Sequence, residues 1–169
     1  MKLTRHVAAA LAVLAIGGGA YLAWLGLGST QPAPDVAYTL LDGKQTSLQA
    51  LRGKVVLVNF WATSCTTCVH EMPKVIDTYQ RYKSRGYDTV AVAMSYDPPA
   101  YVMNFAESRK LPFAVAIDNT GSVAKSFGDV RLTPTSYLIN KRGEIVKRYV
   151  GEPDFAALHA LVEQLLAEG

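Results

Sequence analysis

The chain is poor in the residues that build metal and disulfide scaffolds: its 169 residues include only two cysteines and three histidines. Two cysteines cannot staple a small disulfide-rich fold, and the spaced Cys/His pairs of a zinc domain are absent. Charge is missing locally as well. Val7 to Gly28 carries no charged side chain, while residues 29–169 hold 15 of the 17 basic and all 14 acidic residues. That remainder is close to neutral, which gives no case for nucleic acid or a polyanionic partner. With 50% hydrophobic residues the chain is too apolar to be disordered and long enough for one domain with a real core.

The uncharged run decides location. A cleavable signal peptide has a hydrophobic stretch of about 7–15 residues, whereas a spanning helix needs roughly 20. As a helix, Val7 to Gly28 reaches about 33 Å, close to the hydrocarbon thickness of a bilayer, and no convincing A-x-A cleavage site follows. Lys2, Arg5 and His6 precede the run and Asp35 is the first charge after it. The positive-inside rule therefore keeps the N-terminus in the cytoplasm and sends the rest across. Residues 1–28 read as an uncleaved signal anchor in preference to a cleaved signal peptide, and either way the following domain is exported. Ala15, Gly19 and Ala23 repeat at the spacing of a helix-pairing face, a weak pattern by itself. Ser29 to Pro34 has the composition of a short extended linker, and the domain begins near Asp35.

Residues 35–169 alternate strand and helix patterns. Val36 to Leu41, a turn at Asp42-Gly43 and Thr46-Ser47 predict a small hairpin, followed by a helical turn over Leu48 to Leu51. Val55-Val-Leu-Val-Asn-Phe-Trp61 is a nearly continuous apolar run, the mark of a central strand buried on both faces. Cys65 to about Arg85 reads as a helix kinked at Pro73, and Tyr87 to Met94 as a second buried strand. Pro98-Pro99 opens a helix that ends near Lys110, Phe113 to Ile117 is a further strand, and Gly121 to Phe127 a brief helix. Thr135 to Asn140 and Glu144 to Val150 form an antiparallel pair. From Pro153 onward, Phe155, Leu158, Leu161, Val162, Leu165 and Leu166 make a closing helix with one apolar stripe. The pattern is an α/β fold: a central mixed sheet flanked by helices, with no internal repeat and no second domain.

Both cysteines lie three residues apart, directly after the buried strand and at the start of a helix. Unpaired N–H groups and the positive end of the helix dipole stabilise a Cys65 thiolate there. Three-residue spacing puts Cys68 on the same face, close enough to close a disulfide within one turn. Cys65 can then attack a substrate disulfide and Cys68 resolve the mixed disulfide. A purely structural bridge closing so small a loop gains little entropy, which favours redox use.

Trp61, Cys65-Thr-Thr-Cys68, Glu71, Pro73 and Leu132-Thr-Pro-Thr135 together resemble the thioredoxin superfamily, and more closely its membrane-anchored, extracytoplasmic TlpA/ResA-like branch. The resemblance covers roughly Asp35 to Gly169, with the helix around Pro99 to Lys110 similar to the element inserted in that branch. It implies a thioredoxin-like fold and thiol–disulfide exchange without a cofactor other than the Cys65–Cys68 disulfide. By resemblance Cys65 is the nucleophile, Cys68 the buried resolving thiol, and Pro134 a cis-proline facing the dithiol. Thr133 then offers backbone to an extended substrate. Without the resemblance, Pro134 fits an ordinary trans turn proline better, since cis is a small minority of X-Pro bonds.

Glu71 lies on the dithiol face and is a candidate proton acceptor for Cys68, or else a solvated first-turn glutamate. Asn59 stands where thioredoxins carry a buried aspartate, and an amide cannot shuttle a proton, so any such task falls to Glu71. Trp61 either borders the dithiol and contacts substrate or is plain core. Thr66-Thr67 departs from the Gly-Pro or Glu-Pro of relatives, and this pair tunes the potential. His70 is one residue too distant for a C-x-x-C-H haem attachment. The resulting reading is a reductant on the periplasmic side of a bacterial cytoplasmic membrane. Its substrates are exported proteins of the cytochrome c or copper-site maturation class, and a membrane-embedded thiol reductase supplies its electrons. Two alternatives are a disulfide oxidant and a copper chaperone; copper-delivery relatives use Cys-x-x-x-Cys plus a distal histidine, and His159 in the last helix is poorly placed for that. Peroxidase chemistry is disfavoured, because Ala62 stands where peroxiredoxins carry a threonine.

Overall fold

A computed structural model describes residues 30–168. The anchor read over residues 1–28 and its Ala15/Gly19/Ala23 face lie outside the described residues. Among the described residues no helix is long and apolar enough to cross a membrane.

The elements in chain order are β1 (Gln31–Pro32), β2 (Ala37–Thr39), β3 (Gln45–Ser47), β4 (Val55–Trp61), α1 (Thr66–Tyr82), β5 (Tyr87–Ala93), α2 (Pro99–Ser108), β6 (Ala114–Ile117), α3 (Ser122–Ser126), β7 (Thr135–Ile139), β8 (Glu144–Val150) and α4 (Phe155–Ala167). Six strands form one mixed sheet in the order β1-β8-β7-β4-β5-β6. β4, β5 and β6 run parallel, and β7 pairs antiparallel with both β4 and β8. The hairpin β2–β3 is separate, and a bridge from Leu40 to Ala116 ties it to the β6 edge.

The chain alternates because β4 is buried on both sides. Val55, Leu57 and Trp61 enter the core shared with α1, α2 and α4, while Val56, Val58 and Phe60 enter the core under α3 and the hairpin. α1 turns Cys68, Glu71, Met72, Val75, Thr78 and Tyr82 inward at helical spacing. It runs unbroken through Pro73 and ends in a 3-10 turn over Lys83–Arg85, with Gly86 in the left-handed region at φ 93°. α4 buries Leu158, Val162 and Leu165, with Asp154 accepting from Ala156 N and Ala157 N as its cap.

The structure adds one strand to the sequence reading. Gln31–Pro32, within the stretch read as linker, pairs with Ile145 and Glu144 of β8. Two residues with no apolar alternation give no strand signal, and the free edge of β8 supplies the order.

Candidate active site

The central strands bring the candidate residues to one end of the sheet. β4 ends at Trp61, and Cys65 N–H donates to Ala62 O at 3.1 Å, closing the turn that leads into α1. Cys65 is the N-cap of α1: its Sγ accepts from Cys68 N at 3.1 Å, so a sulfur takes the place an oxygen acceptor usually fills. Cys65 and Cys68 form a disulfide with Cα atoms 5.2 Å apart. Cys65 is half-buried and Cys68 fully buried, so only the first sulfur is open to a partner. Thr66 and Thr67 are exposed on the turn between them.

Period-two alternation puts Asn59 on the α1 side of β4 with Leu57 and Trp61. Its Nδ2 donates to Glu71 Oε1 at 3.0 Å and to Ser136 Oγ at 2.9 Å. Glu71 is only 1% exposed, which removes the reading of a solvated glutamate. Burial pushes its carboxyl up from 4.5 to about 7, against the Asn59 hydrogen bond, which lowers it. Glu152 raises it further and Lys74 opposes that. Glu71 Oε2 has no hydrogen-bond partner among the described residues. Glu152 also pairs with Lys74 and lies 3.2 Å from His70 Nδ1, which accounts for His70 as an exposed helix residue with a surface partner.

At the same end of the sheet, the Thr133–Pro134 bond is cis. Thr135 pairs with Phe60, which places this bond at the sheet end where the cysteine turn begins. Thr135 Oγ1 donates to Leu132 O and Gly151 N to Pro134 O, each at 2.8 Å, so the loop is held from two sides. Trp61 departs from the substrate-contact expectation. It is 0% exposed, its ring lies 5.0 Å from that of Phe105 in α2, and its Nε1 is unpartnered. Strand β4 is covered on both faces, so its last side chain goes inward. His159 packs on Tyr82 and Phe155, with Nε2 2.8 Å from Thr78 Oγ1, in the contact between α1 and α4.

Sequence reasoning missed Asp97. Only 2% exposed, it accepts from Thr63 N through Oδ2 and from Thr63 Oγ1 through Oδ1, both at 2.6 Å. Asp97 precedes Pro98, the cap position of α2, and turns its carboxylate back to the cysteine loop.

A parallel-and-antiparallel sheet of this order, with a Cys-x-x-Cys disulfide capping the helix after its central strand, defines a thioredoxin-like thiol–disulfide oxidoreductase. The Redoxin family model matches residues 28–162, and the chain belongs to that family. It is 39% identical over 120 residues to the thiol-disulfide oxidoreductase ResA of Bacillus thuringiensis subsp. konkukian, covering 71% of this chain and 68% of the relative. The ResA of Geobacillus thermodenitrificans is 38% identical over 125 residues, covering 74% and 70%. A thioredoxin family thiol:disulfide interchange protein of Chlorobium tepidum superposes with a TM-score of 0.75 at 28% identity, over 83% of this chain and 99% of that one.

Proposed function

We propose that the chain is an exported reductant, held at a bacterial cytoplasmic membrane by residues 1–28, whose domain over residues 35–169 reduces disulfides in exported proteins such as apocytochromes or copper-site proteins. The observation that carries this reading is the half-open Cys65 at a helix N-terminus, backed by a buried Cys68 and a buried Glu71 carboxyl on the same helix face. The charge-free run behind Lys2 and Arg5 supports the anchor.

In the reduced form, the helix N–H groups stabilise the Cys65 thiolate. It attacks one sulfur of the substrate disulfide, forming a mixed disulfide and expelling the other sulfur as a thiolate, which takes a proton from water. Glu71, with Oε2 free, accepts the Cys68 proton. The Cys68 thiolate then attacks Cys65 Sγ and releases the second substrate thiol. The two electrons pass to the substrate, and the chain is left with the Cys65–Cys68 disulfide of this structure. A membrane-embedded thiol reductase returns two electrons to close the cycle. Thr133 and Pro134 border the entering segment. The exposed apolar side chains of Leu132 and Val150 on the same wall suit an unfolded stretch better than a polar folded surface.

A Cys68→Ala chain expressed in cells accumulates mixed disulfides with exported proteins through Cys65; their absence refutes the reading. Equilibration with glutathione gives the direction. A potential well below about −200 mV fits a reductant, and one near about −120 mV makes the chain an oxidant instead.

A further inference from the structure

The connection between β5 and α2 contacts both the turn before Cys65 and the loop of the cis-proline. On one side, Asp97 holds Thr63, two residues ahead of Cys65, by its backbone N–H and its hydroxyl at once. Asp97 N–H donates to Met94 O at 2.9 Å, and Met94 N–H to Trp61 O at 3.0 Å, so the carboxylate is anchored to the ends of both central strands. On the other side, the preceding residue reaches across. The Tyr96 hydroxyl lies 3.2 Å from Thr133 Oγ1, beside the cis bond to Pro134. A single dipeptide thus grips the turn that carries the nucleophile and the loop that carries the cis-proline.

The two grips differ in kind. Asp97 is buried and its hydrogen bonds are charge-assisted and short, which makes them hard to replace with water. Tyr96 is 57% exposed and its contact joins two neutral hydroxyls, which water can replace at little cost. One arm is built to stay and the other to let go.

We infer that Tyr96-Asp97 is a clamp on the substrate cleft, in which Asp97 fixes the Cys65 turn through Thr63 and Tyr96 releasably holds the cis-proline wall through Thr133. The inference rests on the thiol–disulfide exchange proposed above and deepens it. Neither residue transfers a proton or an electron; both are positioning residues. The arms separate by substrate size. Misplacing the Cys65 turn slows attack on every disulfide, because the sulfur itself is displaced. Freeing Thr133 affects only a substrate long enough to lie along the cis-proline wall.

The test follows single turnovers of the full reduced chain in detergent, kcat being the saturating rate and KM the half-saturating probe concentration, with two probes, insulin as a polypeptide disulfide and 5,5′-dithiobis(2-nitrobenzoate) as a small one. For Tyr96→Phe the KM for insulin falls about threefold with kcat unchanged, because the wall has no contact to give up, and the rate with the small disulfide follows the parent. For Thr63→Val, kcat falls about tenfold with both probes, while Thr63→Ser, which keeps the hydroxyl, restores it. The clamp is overturned if Tyr96→Phe leaves the insulin KM in place or moves both probes alike, or if Thr63→Ser is as slow as Thr63→Val. A parent that reduces neither probe brings down the proposed function and the clamp with it; an active parent with unmoved variants removes the clamp alone.

Discussion

Glu71 carries a carboxyl into the apolar face of α1 between Cys68 and Met72, where Asn59 is its one hydrogen-bond partner among the described residues. With its carboxyl raised from 4.5 to about 7, the folded chain holds more protons at this residue than the unfolded chain across that window. Stability therefore falls as pH rises through it, by at most about 3 kcal/mol from this group. Urea midpoints measured across the window show that fall in the parent, and Glu71→Gln flattens it. The same substitution removes the proton acceptor for Cys68, so mixed disulfides resolve about tenfold to a hundredfold more slowly, read as a longer lifetime on non-reducing gels. The spacing from Cys68 placed Glu71 on the dithiol face. Its burial was not legible, because a glutamate in the second turn of a helix is ordinarily solvated, and only the covering strand β4 decides otherwise.

At the scale of elements, α2 is the lid over the last core residue of β4. The Phe105 ring lies against Trp61 at a tilt of 50°, and Phe105→Ala opens that side of the indole to water. Because Phe105 is itself only partly buried, the expected loss is about 1–2 kcal/mol, with a red shift of Trp61 emission and new quenching by iodide. The short helix α3 depends on a different device. Asp118, 2% exposed, accepts from Val123 N at 3.1 Å and Ala124 N at 2.8 Å, while the residue at the cap position, Gly121, gives no side-chain bond. Asp118→Ala leaves two buried donors unpaired and costs about 1–3 kcal/mol in denaturant unfolding. The helices and most strands were legible from periodicity and from Pro and Gly punctuation. Asp118 and Asp97 were not, because each bonds backbone brought to it by the fold, and a lone aspartate in a loop carries no sign of its target.

For the whole molecule, the sheet begins before the domain boundary that composition marks. Gln31–Pro32 lies along β8, and Ala33 N donates to Gly143 O at 2.9 Å. A chain starting at Thr30 is accordingly more stable than one starting at Asp35, by about 1 kcal/mol, seen as a shift in urea midpoint without loss of the fold. The sequence by itself determined the order of strands and helices, the redox pair at a strand-to-helix junction and the apolar run that precedes the domain. Each is written in local spacing: period two in β4, period 3.6 in α1 and α4, three residues between two cysteines. Only the tertiary structure decided that Glu71 is buried against Asn59 twelve residues earlier, that Trp61 faces inward, and that Asp97 and Tyr96 reach across to Thr63 and Thr133. Those facts depend on which segments the sheet brings side by side, and residues separated by tens of positions have no period from which that pairing can be read.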